Sequence, residues 1–203
     1  RLHICHLSTA GSVEIVRWAK SRGINVTAEV TPHHLLLTDE TARTYDPVYK
    51  VNPPLRTEAD VLALREALAD GTIDIVATDH APHAIEDKDC EWSAAAFGMV
   101  GLETALSIVA TTMVSTGRMT WADVARVMSS NPAAIGRVAE SHGREIAVGA
   151  PANFALIDPS ASYTVERSET ASKSRNNPFH GEVLQGRVVR TMLRGKTTFE
   201  VAR

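Results

Sequence analysis

The most reactive stretch of this chain is Ile73-Asp74-Ile75-Val76-Ala77-Thr78-Asp79-His80-Ala81-Pro82-His83. There a short apolar run rich in β-branched residues ends in an acid and a Pro-stiffened turn carrying two histidines. A buried parallel strand delivers a carboxylate to the mouth of an α/β barrel in this way. Such an acid is costly to bury without a cation or donors, and at a barrel mouth it can hold a metal ion or take a proton from water. Upstream, Leu2-His3-Ile4-Cys5-His6-Leu7-Ser8-Thr9 repeats the pattern, with His6 at the strand end. Alternation groups Leu2, Ile4 and His6 on one face, His3, Cys5 and Leu7 on the other, and Asp79 with Ile73, Ile75 and Ala77. Taken singly, His6 also reads as a hydrogen-bonded strand-end histidine, and Asp79 as an Asx-turn or helix cap. Together they read as part of a metal site suited to hydrolysis, and an incomplete one.

Other positions could meet a substrate or support that site. His83 lies four residues beyond Asp79 and could hydrogen-bond an anionic group from the lip. Asn52 sits in the Pro-bounded segment Val51-Asn52-Pro53-Pro54-Leu55-Arg56, where its amide could pair with a planar amide or ureide edge. Phe97 and Gly98 fall in the long connection from Ala84 to Val100; long loops at a barrel mouth often act as lids, and Gly98 lets backbone approach a ligand closely. Glu29, near the end of another strand, could approach the metals directly or orient their ligands. His33 and His34 follow Pro32; adjacent side chains diverge on an extended backbone, so at most one should face the centre. For each of these, an ordinary loop or turn role is the competing reading.

Alternating strand and helix signals would position these groups. After the strand at 2–7, Gly11 to Ser21 reads as a helix with Ile15, Val16 and Ala19 inward, and Ile24 to Val30 as a strand. Thr57 to Ala69 reads as an amphipathic helix capped by Thr57, with Val61, Leu62, Leu64 and Leu68 on its apolar face and Asp70-Gly71 as its stop. The strand at 73–79 follows, then helices from Gly101 to Ser115, from Thr120 to Met128, and from Asn131-Pro132 to Val138. This rhythm implies right-handed crossovers and a parallel sheet. Beyond Gly143 the chain reads as short strands, at Ala152 to Ile157, Tyr163 to Val165, Val188 to Leu193 and Thr197 to Val201. Turns at Asp158-Pro159-Ser160 and Arg194-Gly195-Lys196 separate them.

Composition narrows the class. The chain has 203 residues, 44% hydrophobic and 22% charged, which suits a globular protein with a substantial core, and its formal net charge of −3 gives no reason to expect nucleic acid as a partner. No apolar run approaches the roughly 20 residues that span a bilayer, and the opening shows no targeting segment. Cys5 and Cys90 lie far apart, which fits a reducing cytoplasm. A complete (β/α)₈ barrel takes about 250 residues, so the sequence is expected to begin partway through one.

His3-Ile4-Cys5-His6-Leu7-Ser8-Thr9, Glu29-Val30-Thr31-Pro32-His33-His34-Leu35, Val51 to Arg56, Ala77 to His83 and Phe97-Gly98 together resemble the dihydroorotases of the bacterial single-function type, in the amidohydrolase superfamily. Ser174-Arg175-Asn176-Asn177-Pro178-Phe179-His180-Gly181 and Arg194-Gly195 look like that superfamily's return into a small β-sandwich. The resemblance implies a fold: the C-terminal part of a (β/α)₈ TIM barrel over residues 1–142, holding strands six to eight, then a β-sandwich segment over 143–203. It implies that His6 binds metal, that Asp79 binds metal and acts as general base, and that Asn52, His83, Phe97 and Gly98 contact substrate. Two zinc ions are expected per complete site. The His-x-His pair, the bridging ligand and a further histidine would lie upstream of Arg1, so this stretch by itself is expected to be inactive.

The implied reaction is reversible hydrolysis of the cyclic amide of dihydroorotate to N-carbamoyl-L-aspartate, in pyrimidine biosynthesis. A hydantoinase or allantoinase shares the scaffold and chemistry and stays open as an alternative. So does a non-catalytic dihydroorotase-like subunit supporting aspartate transcarbamoylase. Expected partners are the small-molecule substrate, the upstream half of the barrel, and a second copy or aspartate transcarbamoylase, with no nucleic acid or membrane.

Overall fold

The computed structural model describes residues 1–201. Its first half is a three-stranded parallel sheet in the order β1 (Leu2–Ile4), β2 (Val26–Val30), β3 (Ile75–Val76). Helix α1 (Ala10–Ser21) links the first pair. It starts where the Thr9 side chain accepts from the Ser12 amide while Ser12 returns a bond to Thr9, a reciprocal cap that satisfies amides left unpaired at a helix start. Two short helices follow β2, α2 (Pro32–Leu36) and α3 (Asp39–Ala42). Helix α4 (Glu58–Asp70) is capped by Thr57 and ends at Gly71, whose φ of 84° is a left-handed conformation that a residue without Cβ adopts freely.

These helices cover one face of the sheet. Ile4, Ala28, Val30 and Val76 from the strands pack with Val13 and Val16 of α1 and with Leu64 and Leu68 of α4. The opposite face carries His3, Thr27 and Glu29, with His3 paired in register to Thr27.

Past β3 come α5 (Ile85–Lys88) and α6 (Ala105–Val109), which runs on through a π-helical turn at Ala110–Val114. Helices α7 (Trp121–Ala125) and α8 (Asn131–Ile135) are joined by a second π-helical turn at Arg126–Ser130, so one helical run replaces the two separate helices expected. The wider turn accommodates Pro132, which has no N–H to give the preceding turn.

The antiparallel sheet comprises β4 (Phe154–Thr164), β5 (Val183–Leu193) and β6 (Lys196–Glu200). Asp158-Pro159-Ser160 does not end a strand as expected. It forms a bulge inside β4, where Asp158 Oδ1 accepts from the amides of Ser160 (2.9 Å) and Ala161 (3.2 Å) while pairing with β5 continues on both sides. Arg194 and Gly195, at φ 51° and 79°, make the tight turn between β5 and β6. Ser107 donates to the Gly186 carbonyl (2.6 Å) and Thr111 accepts from the Gln185 amide (2.8 Å), which docks this sheet on α6 and the π-helical turn that follows it. Leu184, Val165 and Phe179 share a core there with Ile108, Met99 and Val51. Among the described residues no helix is long and apolar enough to cross a membrane.

Two details of the apolar faces differ from expectation. On α1 the buried residues are Val13 and Val16, while Ile15 is 65% exposed. On α4, Leu64 is 0% exposed but Leu62 is 37% exposed, because the buried stripe runs through Val61, Leu64, Ala67 and Leu68. Leu64→Ala is therefore expected to cost about 2–5 kcal/mol and Leu62→Ala about 0.5 kcal/mol or less, read from the midpoints of denaturant unfolding.

Candidate functional site

His6 and Asp79 both lie just beyond their strands, since β1 ends at Ile4 and β3 at Val76. Both hold left-handed backbone, with φ of 56° and 47°, a conformation that costs a non-glycine residue roughly 1–3 kcal/mol. This corrects the alternation reading. Ile4 packs against the helices, and unbroken alternation would aim His6 the same way. The left-handed step instead brings the imidazole to the Glu29 side of the sheet. The face expected for Asp79 also breaks, since Ile73 packs with Val76 in the helix-facing core while Ile75 stands in register with Glu29. The flanking backbone is pinned by bonds from the Leu7 amide to the Glu29 carbonyl (2.9 Å) and from the Ala77 amide to the Val30 carbonyl (3.0 Å).

Glu29 is the hub of this face. Its Oε2 accepts from His3 Nε2 at 2.9 Å, and His3 Nδ1 in turn accepts from the Thr27 hydroxyl at 2.8 Å. Its Oε1 stands 2.8 Å from His6 Nδ1, yet out of line for a hydrogen bond, so that buried nitrogen has no hydrogen-bonding partner among the described residues. His6 Nε2 lies 3.6 Å from Asp79 Oδ1. Burial raises the Asp79 carboxyl above its ordinary range; His6 draws it down and Glu29 pushes it up again.

Cys5 completes a group with His3 and Glu29 whose donor atoms lie within 4.8 Å of one another. His3 and Glu29 are already spent on each other, and burial and Glu29 raise the Cys5 thiol, which disfavours the thiolate a metal requires.

The other expected contacts form a second cluster. His83 Nε2 donates to the Phe97 carbonyl at 2.8 Å, and Nδ1 makes no hydrogen bond among the described residues. Gly98 has φ of 126°, and a Cβ there would fall 2.5 Å from Ala81 Cβ and 3.1 Å from His83 Nε2. Gly98 therefore lets its backbone lie close against the Ala81 and His83 side chains of the chain itself. Phe97 is 57% exposed. The exposed side chain of Asn52 makes no hydrogen bond among the described residues. Its turn adjoins the Phe97 loop through the Gly98 amide, which donates to the Lys50 carbonyl at 2.9 Å.

His33 and His34 differ from expectation because α2 is a helical turn, not an extended segment. Both are buried, with ring centroids 4.5 Å apart. His34 Nε2 donates to the Pro53 carbonyl at 3.1 Å and so supports the Asn52 turn. Burial lowers His33 well below its usual range and His34 to about 4, so both are neutral. Asn176 was missed by sequence reasoning. It is buried, and its amide donates to the carbonyls of Ala81 (2.9 Å) and Gly98 (3.1 Å), clasping the two site loops. An Asn-Asn-Pro stretch signals only a turn, so nothing in its residue types announced that contact. His3 was passed over because its partner, Glu29, is 26 residues away.

Comparison with known proteins fits this geometry. The model of the amidohydrolase family matches residues 2–198. A curated dihydroorotase from Streptomyces coelicolor is 70% identical over 198 residues, covering 98% of this chain and 46% of the relative. One from Leifsonia xyli is 62% identical, covering 98% and 45%. The chain thus spans about half the length of the curated relatives it matches. The solved L-hydantoinase (dihydropyrimidinase) of Arthrobacter aurescens superposes with a TM-score of 0.92 at 32% identity, covering 100% of this chain and 46% of that one. The parallel strands and their helices are part of a (β/α)₈ barrel, and the chain belongs to the amidohydrolase family.

Proposed function

We propose that this chain forms part of a dihydroorotase, with residues 1–142 contributing to the barrel and 143–203 to a small β-sandwich, in a cytoplasmic enzyme. The observation that carries the reading is the approach of His6 Nε2 to Asp79 Oδ1 at 3.6 Å. That is longer than a hydrogen bond, and it brings together an imidazole nitrogen and a carboxylate oxygen, both of them donors that could hold a metal ion. Glu29 Oε1, 2.8 Å from the far nitrogen of His6 though out of line for a hydrogen bond, stands where a carboxylate commonly accompanies a ligating histidine. These residues fit a metal ion. We take it to be zinc, two per complete site, with the other ligands supplied by the rest of the barrel. The curated relatives named dihydroorotase support the substrate.

Zinc held there would supply a reactive water at neutral pH and polarise an amide carbonyl. Asp79 takes the proton of the attacking water and returns it to the departing ring nitrogen of dihydroorotate, giving N-carbamoyl-L-aspartate. A carboxyl raised by burial suits that exchange. Asn52 offers its unengaged amide to the ureide edge. His83, with Nε2 committed to Phe97, meets the substrate carboxylate through Nδ1. The Phe97 and Gly98 backbone forms the wall beside it. The solved neighbour named as a hydantoinase favours a second reading, a cyclic amidohydrolase whose substrate lacks that carboxylate.

Three substitutions in the full-length enzyme test this reading. Asp79→Asn keeps the shape and removes the base, so kcat should collapse at saturating substrate; near-normal turnover would rule out the assigned role. Glu29→Gln should weaken metal affinity by roughly 10- to 100-fold, measured by competition with a chelator. His83→Ala should lower kcat/KM by roughly 10- to 150-fold, mainly through KM, as loss of one charge-assisted hydrogen bond implies. The same change should spare an analogue lacking the carboxylate, and equal losses on both substrates would favour the hydantoinase.

A further inference from the structure

The loop beyond α5 is built around two buried ammonium groups. Lys50 and Lys88 are each 8% exposed, and among the described residues neither is paired with a carboxylate. Lys50 Nζ donates to the carbonyls of Trp92 (2.7 Å), Ser93 (3.1 Å) and Ala95 (2.6 Å). Lys88 Nζ donates to those of Ala96 (2.9 Å), Gly98 (3.0 Å) and Lys50 (3.4 Å). Each ammonium has three N–H donors and meets three carbonyls. With His83 on the Phe97 carbonyl and Asn176 also on that of Gly98, every carbonyl from Trp92 to Gly98 except that of Ala94 accepts a side-chain N–H. Lys50 Nζ also lies 4.7 Å from the centroid of the Phe97 ring.

Two like charges buried side by side are an expensive way to fill space, since apolar side chains of similar volume generally do so at less cost. Burial, and then the charge of Lys50, push Lys88 down to about 8, so it still carries its proton at neutral pH. What the ammonium groups supply and apolar chains lack is a convergent set of donors for a loop with no strand or long helix of its own.

We infer that Lys50 and Lys88 are positioning residues: their ammonium groups hold Trp92–Gly98 in the conformation that presents Phe97 and Gly98 to substrate, and Lys50 ties that loop to the turn bearing Asn52. The inference rests on the substrate contacts proposed above. It makes the specificity wall rigid before substrate arrives.

Kinetics and hydrogen exchange of the metal-loaded, full-length enzyme test it. Lys88→Met and Lys50→Met fill the same space but leave the carbonyls unpaired. Each should raise KM for dihydroorotate about 10-fold or more while changing kcat by less than about threefold. In the wild type without substrate, the amides of Ala95, Ala96 and Gly98 should exchange slowly, and in the variants they should exchange faster while α4 does not. Unchanged KM and exchange in both variants would overturn the inference, as would a loss confined to kcat. If neither variant folds, the wild type still decides: amides at 95–98 that exchange freely until dihydroorotate is added would show that the lysines do not preset the loop. A wild type inactive on dihydroorotate would refute the proposed function and leave the exchange result to judge the lysines.

Discussion

One buried carboxylate organises the sheet end on which the candidate site stands. Glu29 is 6% exposed and sits on the middle strand, between the strands that lead to His6 and Asp79. An uncompensated charge at that depth would cost several kcal/mol, so its oxygens must be met. Here one imidazole donates to it and a second stands in contact. Because His3 is also held by Thr27, the Glu29 carboxylate has little freedom to turn. The His6 ring stands against that carboxylate, with Nδ1 toward Glu29 and Nε2 toward Asp79.

The same economy recurs in the loops. Strands β1 and β3 stop early, and beyond them the chain holds its course through side chains that bond to backbone. Asn176 clasps the Ala81 and Gly98 carbonyls, Ser174 accepts from the His83 amide, and His80 Nδ1 accepts from the Gly101 amide. Such bonds over-determine the backbone just beyond Asp79, which holds a positive φ. Leu184 of the antiparallel sheet, with Val165 and Phe179 from the connection between β4 and β5, packs with Met99 and Val51, next to the two loops that carry Gly98 and Asn52.

Much of this was legible in the sequence because short-range chemistry carries it. The Thr57 cap, the Gly71 stop and the apolar run into β3 each announce themselves within a few residues. The pairing of His6 with Asp79 was legible only because two separate strand ends carried the same kind of signal. Periodicity misled wherever the backbone left its ideal path. At His6 a single left-handed residue reversed the face that alternation assigns, and at Asp158 a bulge kept a strand running through residues that usually turn. Long-range partnerships left no local mark. Lys50 and Lys88 look like surface lysines until Trp92–Gly98 folds around them, and Asn176 looks like a turn residue.

The paired histidines of α2 have a consequence for how this molecule meets acid. Both are buried as neutral rings, His34 with its pKa lowered to about 4 and His33 well below the ordinary 6.5. An unfolded chain takes up protons on these rings as pH falls through 6.5, whereas the folded chain resists until about 4 for His34. Between those values the unfolded state binds more protons, so acidification drains stability from the fold. His34 is also the strut beneath Pro53. Souring the medium would thus strain the ground under the Asn52 turn.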